Sequence, residues 1–364
     1  MRLATFNAEN LFSRPKAMLG LTLSEGRQVL ADFAEMSSLI EAPTYSTATK
    51  SRLRTLVNRH LYGPTPAGGR KIRLNEVRNK LVRRSGSITT IVAAGRGAWV
   101  GWFELIRDQI SGVELLNTGR VIGAVRPDIL CLVEVEDRPS LSRFNEQVLR
   151  HEFLYPFNHH LLVDGNDPRG IDVALLSQRP ILGVRSYADL PRPLVNEPVF
   201  SRDCPEFEIE LPGDRLLIVL GNHFKSQGYG HQADNDARRL DQSRAVVSIY
   251  LSARQRTPFV AVMGDLNAGV GHASLAPLFA GTGLRDVMTH PTYQGLPGTY
   301  GTGTSPDRRF DYILLSPALW SLVQGVGVER RGVYAPNTFP HFPEVTSKRD
   351  QASDHACVFV DLAM

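Results

Sequence analysis

Six short stretches hold the residues able to do chemistry: Phe6-Asn7-Ala8-Glu9-Asn10, Cys131-Leu132-Val133-Glu134, Gly221-Asn222-His223-Phe224-Lys225-Ser226, Gly264-Asp265-Leu266-Asn267, Arg309-Phe310-Asp311-Tyr312-Ile313-Leu314 and Ser353-Asp354-His355. Each sets acids, an amide or an imidazole beside an apolar run, where loops can gather them into one site. The set suits metal-assisted phosphodiester cleavage, which needs a cation, a positioned water and a proton donor for the leaving oxygen. Glu134, closing the apolar run Ile129 to Val133, is the first candidate ligand for a hard cation, Mg2+ or Mn2+, and Asp354, beside His355, is a second metal or water ligand. Asp265 and Asn267 project to the same side, an acid to accept a proton from water and an amide to bind a phosphate oxygen. The competing reading of that pair is an Asx turn, and of Asn7 a strand-end cap. Each of two histidines has a candidate orienting carboxylate, Asp311 for His355 and Asp172 for His223. Asn222, Lys225 and Ser226 flank His223 as substrate contacts, and Arg202 is a further phosphate candidate, although a surface pair with Asp203 accounts for it equally.

These residues must be positioned by the elements that precede them. Leu3 to Phe6, Asp128 to Val133, Asp172 to Leu176, Leu216 to Leu220, Phe259 to Met263, Tyr312 to Leu315 and Ala356 to Val360 read as buried strands. Helices are expected at Thr118 to Val125, Ser140 to Leu149, Ala233 to Ala253 and Ser274 to Phe279, giving an α/β sandwich in one main domain, since Asn7 and His355 would share a site. The loop Ser226 to Asp236, with Gly228, Gly230 and His231, and the helix start at Arg238 and Arg239 are expected to form a substrate wall.

Residues 13 to 117 exceed any ordinary connection and read as an inserted subdomain. Its middle carries Lys50, Arg52, Arg54, Arg59, Arg70, Lys71, Arg73, Arg78, Lys80, Arg83 and Arg84 against Glu76 alone, a bias that points to phosphate and makes nucleic acid the expected partner of residues 50 to 84. Ile88 to Ala93 and Trp99 to Leu105 read as a hairpin with Arg96 exposed at its turn, and Trp99, Trp102 and Phe103 as possible base-stacking residues. Over the 364 residues the net charge is only +4, so the basic character is concentrated. Cys131, Cys204 and Cys357 lack metal-ligand spacing and are expected to be buried thiols. With no apolar run near the length of a membrane span and no signal-peptide pattern, a cytoplasmic location is expected.

The ordered series Asn7, Glu134, Asn222-His223, Gly264-Asp265-Leu266-Asn267, Asp311-Tyr312 and Ser353-Asp354-His355 resembles the endonuclease/exonuclease/phosphatase superfamily, which includes deoxyribonuclease I and the exonuclease III class of abasic endonucleases. The resemblance covers residues 1 to 12 and roughly 118 to 364. It implies a four-layered α/β sandwich with a divalent-metal site at one end. By position Asn7 and Glu134 resemble the metal-side pair, Asp265 with Asn267 the pair that orients water and the scissile phosphate, Asp311 with His355 the Asp/His dyad, and Asp172 with His223 the second dyad of the deoxyribonuclease I branch. Val133-Glu134 departs from the Gln-Glu common in abasic endonucleases. The reading is a Mg2+- or Mn2+-dependent nuclease, endonuclease favoured. A phospholipid or inositol-phosphate phosphoesterase is the alternative, and a non-catalytic nucleic-acid-binding module the third reading.

Overall fold

A strand covered on both faces must be apolar at every position, and Ile129-Leu130-Cys131-Leu132-Val133 is fully buried at all five. The computed structural model describes residues 1–11, 23–65, 69–106, 112–167, 170–193, 195–228 and 231–364. The chain opens with β1 (Arg2–Leu11) and runs through α1 (Leu23–Ile40), α2 (Thr47–Val57), β2 (Ile72–Arg78), β3 (Val82–Ser85), β4 (Ile88–Ile91) and β5 (Val100–Leu105). Next come α3 (Gly112–Val125), β6 (Ile129–Val135), α4 (Arg138–Arg143), β7 (His159–Val163), β8 (Asp172–Ser177), β9 (Ile181–Arg185) and β10 (Glu206–Leu211). The remainder is β11 (Arg215–His223), α5 (Gln232–Arg254), β12 (Phe259–Asp265), α6 (Ala276–Phe279), β13 (Arg285–Asp286), β14 (Asp311–Leu315), α7 (Pro317–Trp320), β15 (Val323–Glu329) and β16 (Cys357–Leu362).

Two six-stranded sheets result, ordered β15-β16-β1-β6-β8-β7 and β13-β14-β12-β11-β10-β9. Alternation along each central strand divides the core. In β6, Ile129, Cys131 and Val133 enter the layer between the sheets, while Leu130 and Leu132 turn outward against α3 and the helical stretch from Arg138 to Arg150. In β12, Ala261 and Met263 face the inter-sheet layer while Val260 and Val262 pack under Val246, Ile249 and Tyr250 of α5. The architecture is therefore helix, sheet, sheet, helix: the four-layered α/β sandwich. All seven strands read from the sequence lie within or overlap observed ones. The strands not anticipated include the edges β7, β9, β13 and β15. Cys131, Cys204 and Cys357 are free and buried.

The chain divides into two compact units, Met1–Phe12 with Ser111–Met364, and Ser13–Ile110. The insert is thus shorter than 13–117: residues 112–117 begin α3, whose Leu115 and Leu116 pack on the main core. Within the insert, α1 and α2 bury Met36, Leu53, Leu56 and Val57 with Ile72, Trp99 and Phe103. The expected hairpin does not form. Strand β4 pairs with β3, and β5 pairs with β2, because Trp99 must enter the core, where its Nε1 donates to the Tyr45 hydroxyl at 2.9 Å. Among the described residues, no helix is long and apolar enough to cross a membrane.

Gly264 fixes the spacing of the two strands that end in His223 and Asp265. It sits at φ +135° opposite Asn222, and an added Cβ would lie 1.9 Å from the Asn222 carbonyl oxygen. Gly264→Ala is expected to destabilise the protein by at least about 3 kcal/mol in urea unfolding. An unchanged midpoint would show that the strands have room to part.

Candidate active site

The strand ends converge through backbone irregularities. Strand β1 pairs Asn7 with Val133 and then Leu11 with Val135, so Ala8, Glu9 and Asn10 bulge opposite Glu134 alone. Glu134 is itself a bulge against β8, and Glu9 (φ 42°), Glu134 (φ 66°) and Asn267 (φ 50°) all occupy left-handed backbone. Each costs of order 1–3 kcal/mol in a residue with a side chain. Three such residues at one end of the sandwich are what re-aiming functional groups requires.

Asp265 is the hub. Its Oδ1 accepts the Asn267 backbone N–H at 2.8 Å and its Oδ2 accepts the Asn7 side-chain amide at 3.0 Å, while His223 Nε2 stands 3.8 Å and His355 Nε2 3.9 Å from the same Oδ2. Antiparallel pairing puts Asp311 of β14 directly opposite Asp265. His355 Nδ1 lies 2.8 Å from Asp311 Oδ2, which also accepts from the Thr299 hydroxyl at 2.7 Å. Tyr300 covers the imidazole edge-on at 5.0 Å and stacks on Phe310.

Burial pushes the Asp265 carboxyl up, Asp311 adds to this and His355 opposes it, leaving it at about 7. Burial alone would depress His355, but Asp311 first, then Asp265 and Asp354, carry it well above the ordinary histidine value. The imidazolium is the state we assign at neutral pH, because His355 is hydrogen-bonded to Asp311 through Nδ1 and turns Nε2 toward Asp265, so that both acids favour its charged form.

Glu9 was legible only as part of its stretch, yet its Oε2 accepts from the Asp354 backbone N–H at 2.7 Å and from Gln351 Nε2 at 2.8 Å. Burial, then the charge of Asp354, raise its carboxyl to about 7. Asn7 accepts the Glu9 N–H on its Oδ1 at 3.0 Å and donates its amide to Asp265, so it braces β1 against β12. Thr299 and Gln351 were likewise missed: they carry no charge, and loop residues become visible only when chain reversal brings them to Asp311 and Glu9. Glu134 Oε1 lies 3.9 Å from His223 Nε2, and Asp354 Oδ1 3.7 Å from His355 Nε2.

Other expected contacts have structural duties. Among the described residues no hydrogen bond joins Asp172 to His223; Asp172 Oδ1 accepts the Gly165 N–H at 2.8 Å. Asn222 is fully buried, with its amide on the Leu220 carbonyl, because strand alternation turns it away from His223. Arg202 is neither a free phosphate contact nor a surface partner of Asp203: it is buried, its Nε 2.9 Å from Asp167 and its Nη1 donating to the Phe224 carbonyl. Arg239 is buried and donates to the Lys225 carbonyl, and Arg238 binds Glu197 and the Pro198 carbonyl. Arg238 and Arg239 thereby brace the scaffold around the His223–Ser226 segment, in which Lys225 and Ser226 are half-buried, while Gly228 and His231 of the loop are exposed and Gly230 lies outside the described residues. Arg96 of the insert donates to the Gly101 carbonyl and faces Glu41 at 3.5 Å, so it is not an exposed turn residue.

A family model described as the endonuclease/exonuclease/phosphatase family matches residues 105–355. The chain belongs to that family. A mannosyl-6-phosphatase of Bacteroides thetaiotaomicron is similar in structure at 16% identity and TM-score 0.51, over 70% of this chain and 91% of its own. A family protein from the same organism matches at 17% and 0.50, over 68% and 88%. A family protein of Beutenbergia cavernae has 20% identity and TM-score 0.47 over 68% of this chain, which spans 65% of that protein's length. At these identities the likeness concerns the fold. No curated protein sequence matches the chain.

Burial raises the Asp172 carboxyl to about 7, helped by the charges of Asp164, Asp167 and Asp203 and opposed by the Gly165 hydrogen bond. The folded state therefore holds this proton where the unfolded chain has released it, and stability falls as pH rises from about 4 through 7. Asp172→Asn keeps the Gly165 bond and loses the titration. Its Tm should exceed that of the wild type at pH 8, and the gap should shrink steadily on acidification and close only near pH 4; parallel Tm–pH curves would remove Asp172 as the source.

Proposed function

We propose that this chain is a divalent-cation-dependent phosphodiester hydrolase whose substrate is nucleic acid, an endonuclease being the favoured form. The observation that carries the chemistry is the single buried cluster in which Asp265 is held by Asn7 and Asn267 and faced by two imidazoles. The substrate reading rests on the insert's basic stretch, residues 50–84.

The donor set fits a hard cation. Glu9, Glu134 and Asp354 offer only oxygen, and the rise of Glu9 through burial and its acidic neighbour marks a pair short of counter-charge, which Mg2+ or Mn2+ would supply. Asp265, Asp311 and His355 also approach one another within ligating range. There, however, His355 Nδ1 and Asp311 Oδ2 are already hydrogen-bonded to each other, whereas the first group keeps carboxylate oxygens for a cation. When bound at the Glu9/Glu134/Asp354 end, the cation would neutralise the phosphate and polarise its ester bond.

The remaining work belongs to the side chains. Asp265, titrating near neutrality, takes the proton of the attacking water, with Asn7 and Asn267 fixing which oxygen lone pairs are free. His355 keeps its Nδ1 proton on Asp311 and presents Nε2 to the phosphoryl oxygens as charge develops. His223 Nε2, 3.8 Å from the same Asp265 oxygen that His355 Nε2 faces, serves the leaving oxygen, and Lys225 with Ser226 contacts non-bridging oxygens.

End-labelled single- and double-stranded DNA and RNA, incubated with Mg2+, Mn2+ or EDTA, test the proposal. Cutting should require the cation and fall about 10²- to 10⁴-fold in folded Asp265→Asn and His355→Ala proteins. Undiminished cutting by Asp265→Asn would sink the assignment of the base. Hydrolysis of lipid or inositol phosphoesters without cutting of any polynucleotide would move the substrate.

A further inference from the structure

The outer face of the β2–β5 ribbon in the insert carries a large side chain that the fold does not cover. Cross-strand pairing sets Trp102 opposite Asn75, Glu104 opposite Arg73 and, across a bulge, Val100 opposite Arg78. Alternation sends Gly101 and Phe103 inward and leaves Trp102 48% exposed, whereas Trp99 is buried. The ribbon lies flush on that buried ring: a Cβ at Gly101 would stand 2.4 Å from Trp99 and 2.1 Å from the Asn75 carbonyl oxygen. Trp102 is therefore displayed on a backbone fixed from beneath.

Its electrostatic setting is one-sided. Residues 13–110 hold 16 Lys and Arg against 7 Asp and Glu, net +9, while the rest of the chain is −5. Glu104, the one carboxylate on this face of the two strands, is met by Arg73 Nε at 2.9 Å and Asn75 Nδ2 at 2.6 Å. Arg78 and Lys80 are exposed, and among the described residues no carboxylate pairs with either.

We propose that this face binds single-stranded nucleic acid, Trp102 stacking on a base while Arg78 and Lys80 meet the flanking phosphates. An aromatic face amid cations suits a strand whose bases are unstacked, because a duplex hides base faces and offers phosphate alone. The proposal deepens the nucleic-acid reading above and rests on it. Of the stacking candidates in the sequence, burial removes Trp99 and Phe103 and leaves Trp102.

The test is fluorescence anisotropy of the full chain in EDTA with a labelled oligothymidylate, its duplex form and phosphatidylserine vesicles, alongside turnover of bis(4-nitrophenyl) phosphate with Mn2+. The single strand should bind more tightly than the duplex. Trp102→Ala should weaken it roughly five- to a hundredfold without altering the salt slope, and Trp102→Phe should recover most of the loss. Arg78→Gln should reduce the salt slope by about one ion. Small-diester turnover should be the same in Trp102→Ala and wild type. Equal single-strand affinity in Trp102→Ala, tighter duplex binding, or capture by vesicles and not by the oligonucleotide would each overturn the platform. If the wild type fails to hydrolyse the diester yet binds the strand through Trp102, the hydrolase reading falls and the platform stands.

Discussion

Two aspartates face each other across neighbouring strands in the interior of this protein, and the arrangement of the site follows from accommodating them. Asp265 and Asp311 are paired in register and almost wholly buried. Like charges directly opposite in a sheet repel, and burial strengthens the repulsion. His355 relieves it from just ahead of β16, holding Asp311 through Nδ1 and directing Nε2 toward Asp265. The Asn7 amide and the Asn267 N–H satisfy the rest of the Asp265 carboxylate, and the Thr299 hydroxyl shares Asp311. A water-excluding fold would discard such a pair unless it did work, since an apolar replacement is usually at least as stable.

The same constraint explains why the site needs the whole main unit. Asn7 lies near one end of the chain and His355 near the other, yet β16 and β6 flank β1 in one sheet, while β11 and β14 flank β12 in the second. The functional strand ends therefore come from the centres of both sheets, where packing is densest and side chains are least free to drift. Departures from regular geometry are concentrated where Glu9, Glu134 and Asn267 must turn out of their strands. The positioning of His223 is equally overdetermined: the Phe224 carbonyl accepts from both Arg202 and Asn267, and the backbone of Lys225 is gripped by Gln242 and Arg239.

Much of this was legible in the sequence, for identifiable reasons. The central strands are apolar at consecutive positions and end in polar residues, so β6, β11, β12 and β14 and the Asp311–His355 pair could be read directly. Edge strands such as β7 (His159–Val163) and β15 (Val323–Glu329) carry histidines or glycines and only partial burial, and their patterns look like loops. Glu9 was hidden by the bulge, which breaks the alternation that relates it to Asn7. Asn222, Arg202 and Arg239 were misassigned because sequence proximity to a histidine or a loop says nothing of which side of a strand or helix a group occupies. In the insert, composition revealed the charge but not the pairing of β2 with β5, which alone decides that Trp102 is displayed and Trp99 enclosed.

His355 is the buried counter-charge to Asp265 and Asp311. Nitrogen-15 NMR of the imidazole in metal-free protein, assigned by comparison with His355→Gln and followed between pH 5 and pH 9, tests it most directly. Both ring nitrogens of His355 should remain protonated at pH 7, above the ordinary titration range of histidine, and Asp311→Asn should lower the transition. A neutral His355 ring at pH 7 in the wild-type protein would contradict it.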